Sequence, residues 1–255
     1  MKLNTRTWGS SSAAHTAVLI HGVTSNAASW VRVGSALANW GYYVVAPELR
    51  GHGDSPKPDG QYTLDLMVAD LADSVPNAPH VLLGHSFGGV MAILATLHGI
   101  LKPAYLILED PVLHFADQQT PASLLKNDEA NLPRDVEGTL RANPKWQRID
   151  AEGKVASLGI VNWDHMHQVF AGNAPWDLRP EVSAIARTVP TMLILPEVSF
   201  YVPPPDAADL AAALGSGSIA QLPGTGHSVH RDDLDAFLGA IRHFVQQHAQ
   251  PLSRG

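Results

Sequence analysis

The sequence predicts an α/β protein built on a mostly parallel sheet. Short apolar runs recur along the chain, each continuous rather than alternating, as expected of strands covered on both faces. Helix-like segments separate these runs. The length of 255 residues lies near the upper end of what one core supports, so one α/β domain with an inserted subregion is expected.

The first run is Ala17-Val18-Leu19-Ile20, followed by Tyr42-Tyr43-Val44-Val45-Ala46, which Pro47 closes. His80-Val81-Leu82-Leu83 and Ala104-Tyr105-Leu106-Ile107-Leu108 form the middle pair, and Thr191-Met192-Leu193-Ile194-Leu195 and Ser218-Ile219-Ala220-Gln221-Leu222 complete the set. A helix is expected from Trp30 to Trp40, ending at Gly41. Tyr62 to Val75 places Leu64, Val68 and Leu71 on one face, and Phe87 to Leu97 is apolar almost all round, so it should be buried. Asp206 to Leu214 and Asp233 to Gln247 give two more amphipathic segments.

The rhythm breaks between Pro111 and Val189. That stretch offers no convincing strand, is split by Pro121, Pro133, Pro144 and Pro175, and holds three of the six tryptophans. A helical cap over 111–189, inserted into a core formed by 1–110 and 190–255, is the expected organisation.

Composition narrows the function classes. Hydrophobic residues make up 45% and charged residues 16%, which excludes a disordered chain. The formal charge is −7 with no basic run, so neither nucleic acid nor an anionic membrane is an expected partner. Cysteine is absent, which removes disulfides, thiolate metal sites and a cysteine nucleophile. No apolar run approaches the ~18 residues of a membrane span. Met1-Lys2-Leu3-Asn4-Thr5-Arg6 lacks the apolar core of a signal peptide, so a soluble, cytoplasmic protein is expected.

The chemistry-bearing motif is Gly84-His85-Ser86-Phe87-Gly88-Gly89. It follows one predicted strand and opens the next helix, the context that makes G-x-S-x-G specific. Small residues two before and two after the serine let strand and helix approach while the hydroxyl points outward. The helix N-terminus then aims free N–H groups at a developing oxyanion.

On these residues the chain resembles the α/β-hydrolase superfamily, and the resemblance runs through nearly all of it. His21-Gly22 is similar to the family's oxyanion loop, Pro47-Glu48-Leu49-Arg50-Gly51-His52-Gly53-Asp54-Ser55 resembles its D-x-R-G-x-G-x-S loop, and Pro223-Gly224-Thr225-Gly226-His227 resembles its histidine loop. The resemblance implies an α/β-hydrolase fold with an inserted helical cap, Ser86 as nucleophile, His227 as general base, and the backbone N–H groups of Val23 and Phe87 as oxyanion hole. It implies no cofactor and no metal.

The third member of the triad departs from the family's common pattern. Its usual acid follows the strand at Thr191–Leu195, where Pro196-Glu197-Val198-Ser199 places Ser199 instead. Serine cannot stabilise an imidazolium as a carboxylate does. In certain haloalkane dehalogenases and lactone hydrolases the acid ends the preceding strand, which corresponds to Asp110 here. Asp110 is therefore favoured, with Glu197, Glu109, Asp206 and no acid at all as alternatives. Asp206 also suits a helix N-cap, and Glu48 suits a brace for the Arg50 loop.

Other histidines have structural readings. His21, His52 and His85 fit loop bonding, and His230 fits a solvated or helix-capping position. His165 and His167 lie on different helix faces, which speaks for cap residues facing the pocket and against a metal.

Trp163, Phe115, Trp176 and Leu113 are the candidate pocket residues, with Trp146 as a further cap aromatic. They imply a small apolar or aromatic substrate. The expected activity is a serine esterase or lactonase cleaving an ester, lactone or carbamate through an acyl-enzyme. Carbon–carbon bond hydrolysis and a slow-turnover, ligand-binding relative are the alternatives.

Overall fold

The computed structural model describes residues 1–60 and 62–249. Seven strands form the main sheet: β1 (Thr5–Trp8), β2 (His15–Ile20), β3 (Tyr42–Pro47), β4 (Val81–His85), β5 (Tyr105–Glu109), β8 (Thr191–Pro196) and β9 (Ile219–Leu222). Their order is β1-β3-β2-β4-β5-β8-β9. Every neighbouring pair runs parallel except β1 with β3, which is antiparallel in the register Thr5↔Pro47.

Alternate residues of each inner strand enter two separate cores. Val18, Ile20, Leu82, Leu106 and Leu108 pack on one face, and Ala17, Leu19, Leu83, Tyr105 and Ile107 on the other. This two-sided burial is why the strands read as unbroken apolar runs. The first core is covered by α2 (Leu64–Ala72), α3 (Phe87–Leu97), α8 (Arg179–Ile185) and α9 (Pro204–Leu214). The second is covered by α1 (Val31–Asn39) and α11 (Leu234–His248). Gly41 follows α1 at φ +89°, the left-handed conformation that ends helices and that glycine adopts without a Cβ penalty.

The edge strand β1 is absent from the sequence expectation. Thr5-Arg6-Thr7-Trp8 pairs on one side only and leaves Arg6 and Thr7 exposed, so no apolar run marks it. Between β5 and β8 the chain forms α4 (Gln119–Asn131), α5 (Val136–Ala142), α6 (Arg148–Ile160) and α7 (Trp163–Asn173). It also forms a two-residue ladder of β6 (His114–Phe115) with β7 (Trp176–Asp177), too short to carry a strand pattern. Helix α5 packs on α6, α4 packs on α7, and α6 rests on a 3₁₀ turn at Ala27–Trp30. Helix α8 instead packs beside the sheet on α3 and α9. A last short helix, α10 (Val229–Asp232), precedes α11. No helix of the described residues is long and apolar enough to cross a membrane.

Strand β4 and helix α3 approach very closely at their junction. A Cβ on Gly84 would lie 2.3 Å from the carbonyl oxygen of Gly88, and one on Gly88 would lie 2.2 Å from that of Ile20. Both atoms are backbone, so neither can rotate away. Gly88→Ala is therefore expected to cost about 3 kcal/mol of stability, the scale of a forced backbone shift in a packed core. Urea unfolding measures it, and a loss below about 0.5 kcal/mol would contradict the close approach.

Candidate active site

Ser86 sits at the N-cap of α3 with φ +55° and ψ −121°. A non-glycine residue there costs roughly 1–3 kcal/mol and persists only where its surroundings enforce it. They do so from both sides: Ser86 N–H donates to the Glu109 carbonyl at 2.9 Å, and the Ser86 carbonyl accepts from Gly89 N–H at 2.9 Å. The N–H groups of Phe87 and Val23 donate to no protein acceptor among the described residues.

Neighbouring histidines hold the loops around this point. His21 Nε2 accepts from Leu49 N–H at 3.0 Å and its Nδ1–H donates to the Gly22 carbonyl at 2.8 Å. Burial holds that ring well below the usual imidazole pKa, which keeps it neutral. His52 Nε2 lies 2.7 Å from the Val23 carbonyl, and His85 Nε2 lies 2.8 Å from the His227 carbonyl. Glu48 accepts from Asn4 Nδ2 and Asp54 N–H, bracing the loop from inside, while Arg50 pairs with Asp70 at 2.8 Å.

His227 Nδ1 lies 2.6 Å from Asp110 Oδ2. Asp110 directly follows β5, has φ +37° and is 1% exposed. Its other oxygen, Oδ1, accepts from the Ser199 hydroxyl, and Ser199 Oγ in turn accepts from Val202 N–H at 2.8 Å. Ser199 thus stands as a donor to the very carboxylate that meets the histidine. A carboxylate at 199 would face Asp110 with like charge. This role was legible only as a missing acid.

The other carboxylates weighed for the acid are engaged elsewhere. Glu197 accepts from Gly224 N–H at 2.7 Å, and Asp206 accepts from Arg179 Nη1 at 2.9 Å. The N-cap of α9 is Pro203, without a side-chain bond, so Asp206 lies inside the first turn rather than capping it. Glu109 accepts from both the N–H and the Nδ1–H of His230. His230 is therefore neither solvated nor a helix cap. It is buried against Trp30 at 4.5 Å, and burial lowers its pKa well below the usual value while raising that of Glu109.

Ser86 and His227 line a common cavity of about 450 Å³. The cap tryptophan that reaches it is Trp146. Leu113 is buried in the core, Trp176 donates from Nε1 to the Val112 carbonyl at 2.9 Å and stacks on Phe170, and Trp163 lies under Arg134 at 5.3 Å. None of these three lines the 450 Å³ cavity. Phe115 borders a separate space of about 30 Å³ beside Ser86 and Phe87. His165 and His167 also face away from the cavity, toward Tyr62 at 2.7 Å and Glu129 at 3.2 Å. No group of metal-ligating side chains occurs among the described residues.

The cavity lining is more polar than the aromatic residues imply. Lys154 and Arg231 line it with Asp128, Asn143 and Thr139, beside Trp146. Lys154 Nζ donates to Thr24 Oγ1 at 2.7 Å and to the Thr24 carbonyl at 2.9 Å. Burial first, then the nearby Arg231 charge, lower its pKa to about 7. Burial likewise raises Tyr201, which lies 5.0 Å from the His227 ring, to about 12. Neither cation was visible as a site residue, because nothing in the sequence distinguishes Lys154 and Arg231 from surface charges on short helices.

The family model of the alpha/beta hydrolase family matches residues 17–240, and the chain belongs to that family. It is similar to the sn-1-specific diacylglycerol lipase ABHD11 of Mus musculus, at 24% identity over 89% of this chain and 80% of the relative. It is similar also to the N-formylmaleamate deformylase of Pseudomonas putida, at 26% identity over 91% and 88%. Among solved structures, the enol-lactonase of Burkholderia xenovorans LB400 superposes with a TM-score of 0.74 at 21% identity, covering 96% of each chain. The protein is accordingly a hydrolase with the α/β-hydrolase fold.

The depressed Lys154 has a consequence for stability. A lysine of ordinary pKa near 10.4 when unfolded and about 7 when folded costs stability in full below pH 7, and the cost fades as pH rises toward 10.4. Lys154→Met is expected to raise the unfolding midpoint by roughly 2–4 °C at pH 6, and by much less at pH 10. Thermal unfolding at the two pH values checks it; an equal change at both would count against a buried charge.

Proposed function

We propose that Ser86, His227 and Asp110 act as a catalytic triad that hydrolyses a carboxylic ester, lactone or carbamate through an acyl-enzyme. The observation that carries this reading is the 2.6 Å contact of His227 Nδ1 with Asp110 Oδ2, made where Ser86 and His227 line one cavity. Asp110 holds the imidazole in the tautomer whose Nε2 is free to take a proton.

Ser86 Oγ attacks the substrate carbonyl carbon while its proton passes to His227 Nε2. The oxyanion that forms is met by the Val23 and Phe87 N–H groups, which have no competing protein acceptor among the described residues. Collapse breaks the bond to the leaving group, which departs with the proton from His227. Water then adds to the acyl-enzyme as His227 takes its proton, the acid is released, and the proton returns to Ser86 Oγ. Helices α4, α5 and α6 line the cavity in which these steps run. The lipase and the deformylase among the relatives are compatible with acyl transfer, each by its own name.

Labelling by a fluorophosphonate, followed by intact mass, tests the assignment. One adduct is expected on the parent and none on Ser86→Ala. Asp110→Asn should label about 10³–10⁴-fold more slowly, the scale on which a triad histidine loses its orienting carboxylate. Glu197→Gln should stay within about twofold, since its carboxylate bonds the Gly224 N–H instead. A parent that does not label, or an Asp110→Asn that labels at the parent rate, sinks the triad.

A further inference from the structure

Two cations line the cavity in front of Ser86, and neither has a carboxylate within 4 Å among the described residues. Arg231 is 4% exposed. Its only side-chain hydrogen bond among the described residues runs from Nη2 to Ser25 Oγ at 3.3 Å, and its Nε is buried without a partner. The guanidinium lies 4.4 Å from the centre of the Trp146 ring. Among the described residues Lys154 donates only to Thr24. A desolvated charge with no carboxylate in direct contact is costly and favours an anion that can reach it; Asp150, Glu109 and Asp232 act on Arg231, and Asp128 on Lys154, only from beyond 4 Å.

The carboxylates of the lining do not fill that place. Asp232 is committed at both oxygens, Oδ1 to Trp146 Nε1 at 3.0 Å and Oδ2 to Gly226 N–H at 2.6 Å. Asp128 makes no side-chain hydrogen bond among the described residues, and burial raises its pKa toward the neutral form.

The shape of the space says which part of a substrate meets these cations. The histidine of a serine triad protonates the leaving group, which therefore lies on the histidine side of the nucleophile. Arg231 lies in α10, four residues after His227, and lines the same 450 Å³ cavity. The separate space bounded by Phe87, Phe115 and Phe170 is only about 30 Å³, room for a very short acyl group.

We propose that the substrate is a short-chain acyl ester or related acyl compound whose leaving portion carries a free carboxylate, bound by Arg231 and Lys154 beside the Trp146 ring. This assignment of a substrate class rests on Ser86 and His227 acting as proposed above. An aromatic or otherwise flat carboxylate suits the guanidinium and indole together, because both present flat faces.

The test compares 4-acetoxybenzoate with its neutral counterpart 4-acetoxybenzamide, each corrected for spontaneous hydrolysis. The parent should favour the anion at least 10-fold in kcat/KM, and Arg231→Met and Lys154→Met should each reduce that ratio about fivefold or more. A ratio near one in the parent, or the parent's ratio kept in both variants, overturns the carboxylate site. Circular dichroism checks that the variants fold, and the parent's own ratio decides even if one does not. Binding of the same two compounds to Ser86→Ala by calorimetry separates this proposal from the triad. If the parent neither labels nor turns over but Ser86→Ala still binds the anion at least 10-fold tighter, and loses that in Ser86→Ala/Arg231→Met, the triad fails and the carboxylate site stands. Equal binding of both compounds, or no binding of either, overturns it.

Discussion

The candidate site depends on how closely three backbones approach at the end of β4. Gly84 meets the carbonyl of Gly88, and Gly88 meets that of Ile20, at distances no side chain would permit. This proximity closes the turn from strand to helix within one residue and drives Ser86 to a positive φ. The strained serine is then held by hydrogen bonds through Glu109 and Gly89. One steric constraint thereby sets the position of the hydroxyl, the N–H of Phe87, and the direction of the α3 N-terminus.

The end of β5 supplies the electrostatics. Two consecutive residues there serve two histidines: Glu109 bonds His230, and Asp110 bonds His227. The first pair is wholly buried beneath Trp30, where desolvation keeps the imidazole neutral and the bond is structural. The second pair opens on the cavity, with the His227 side chain 40% exposed. His85 ties the two together by lying 2.8 Å from the His227 carbonyl and packing on both rings. The buried pair acts as a footing for the histidine loop, and Ser199 does the same for Asp110.

The cavity is where the fold gives up stability for chemistry. Arg231 is buried and Lys154 partly buried, neither has a carboxylate within 4 Å among the described residues, and both have lowered pKa values because burial opposes their charge. Arg231 remains charged at neutral pH, with a pKa of about 10. Packing alone would favour apolar side chains at these positions, as it does at Leu113 and Trp176.

The fold and the elbow were legible in the sequence because each rests on local rules, whereas the histidine loop was read from the family resemblance. Continuous apolar runs encode strands buried on two faces, and G-x-S-x-G encodes a turn that needs small residues at fixed offsets. The edge strand β1 was illegible because a strand with one partner and exposed side chains carries no apolar run. Which carboxylate meets His227 could be narrowed to four candidates by sequence. Tertiary structure alone sets each one's partner, since the Asp110 and Glu197 contacts span 117 and 27 residues of chain. Which cap aromatics line the cavity is undecided by sequence for a similar reason: Trp146 lines it, while Trp163 and Trp176 do not. Whether a tryptophan packs or lines depends on the rotation of its helix, and that is decided by which neighbours α4 to α7 find. The two cavity cations belong to the same class: their residue types suggest a solvated surface, and only the packing of α6 and α10 around the Ser86 elbow turns them toward it.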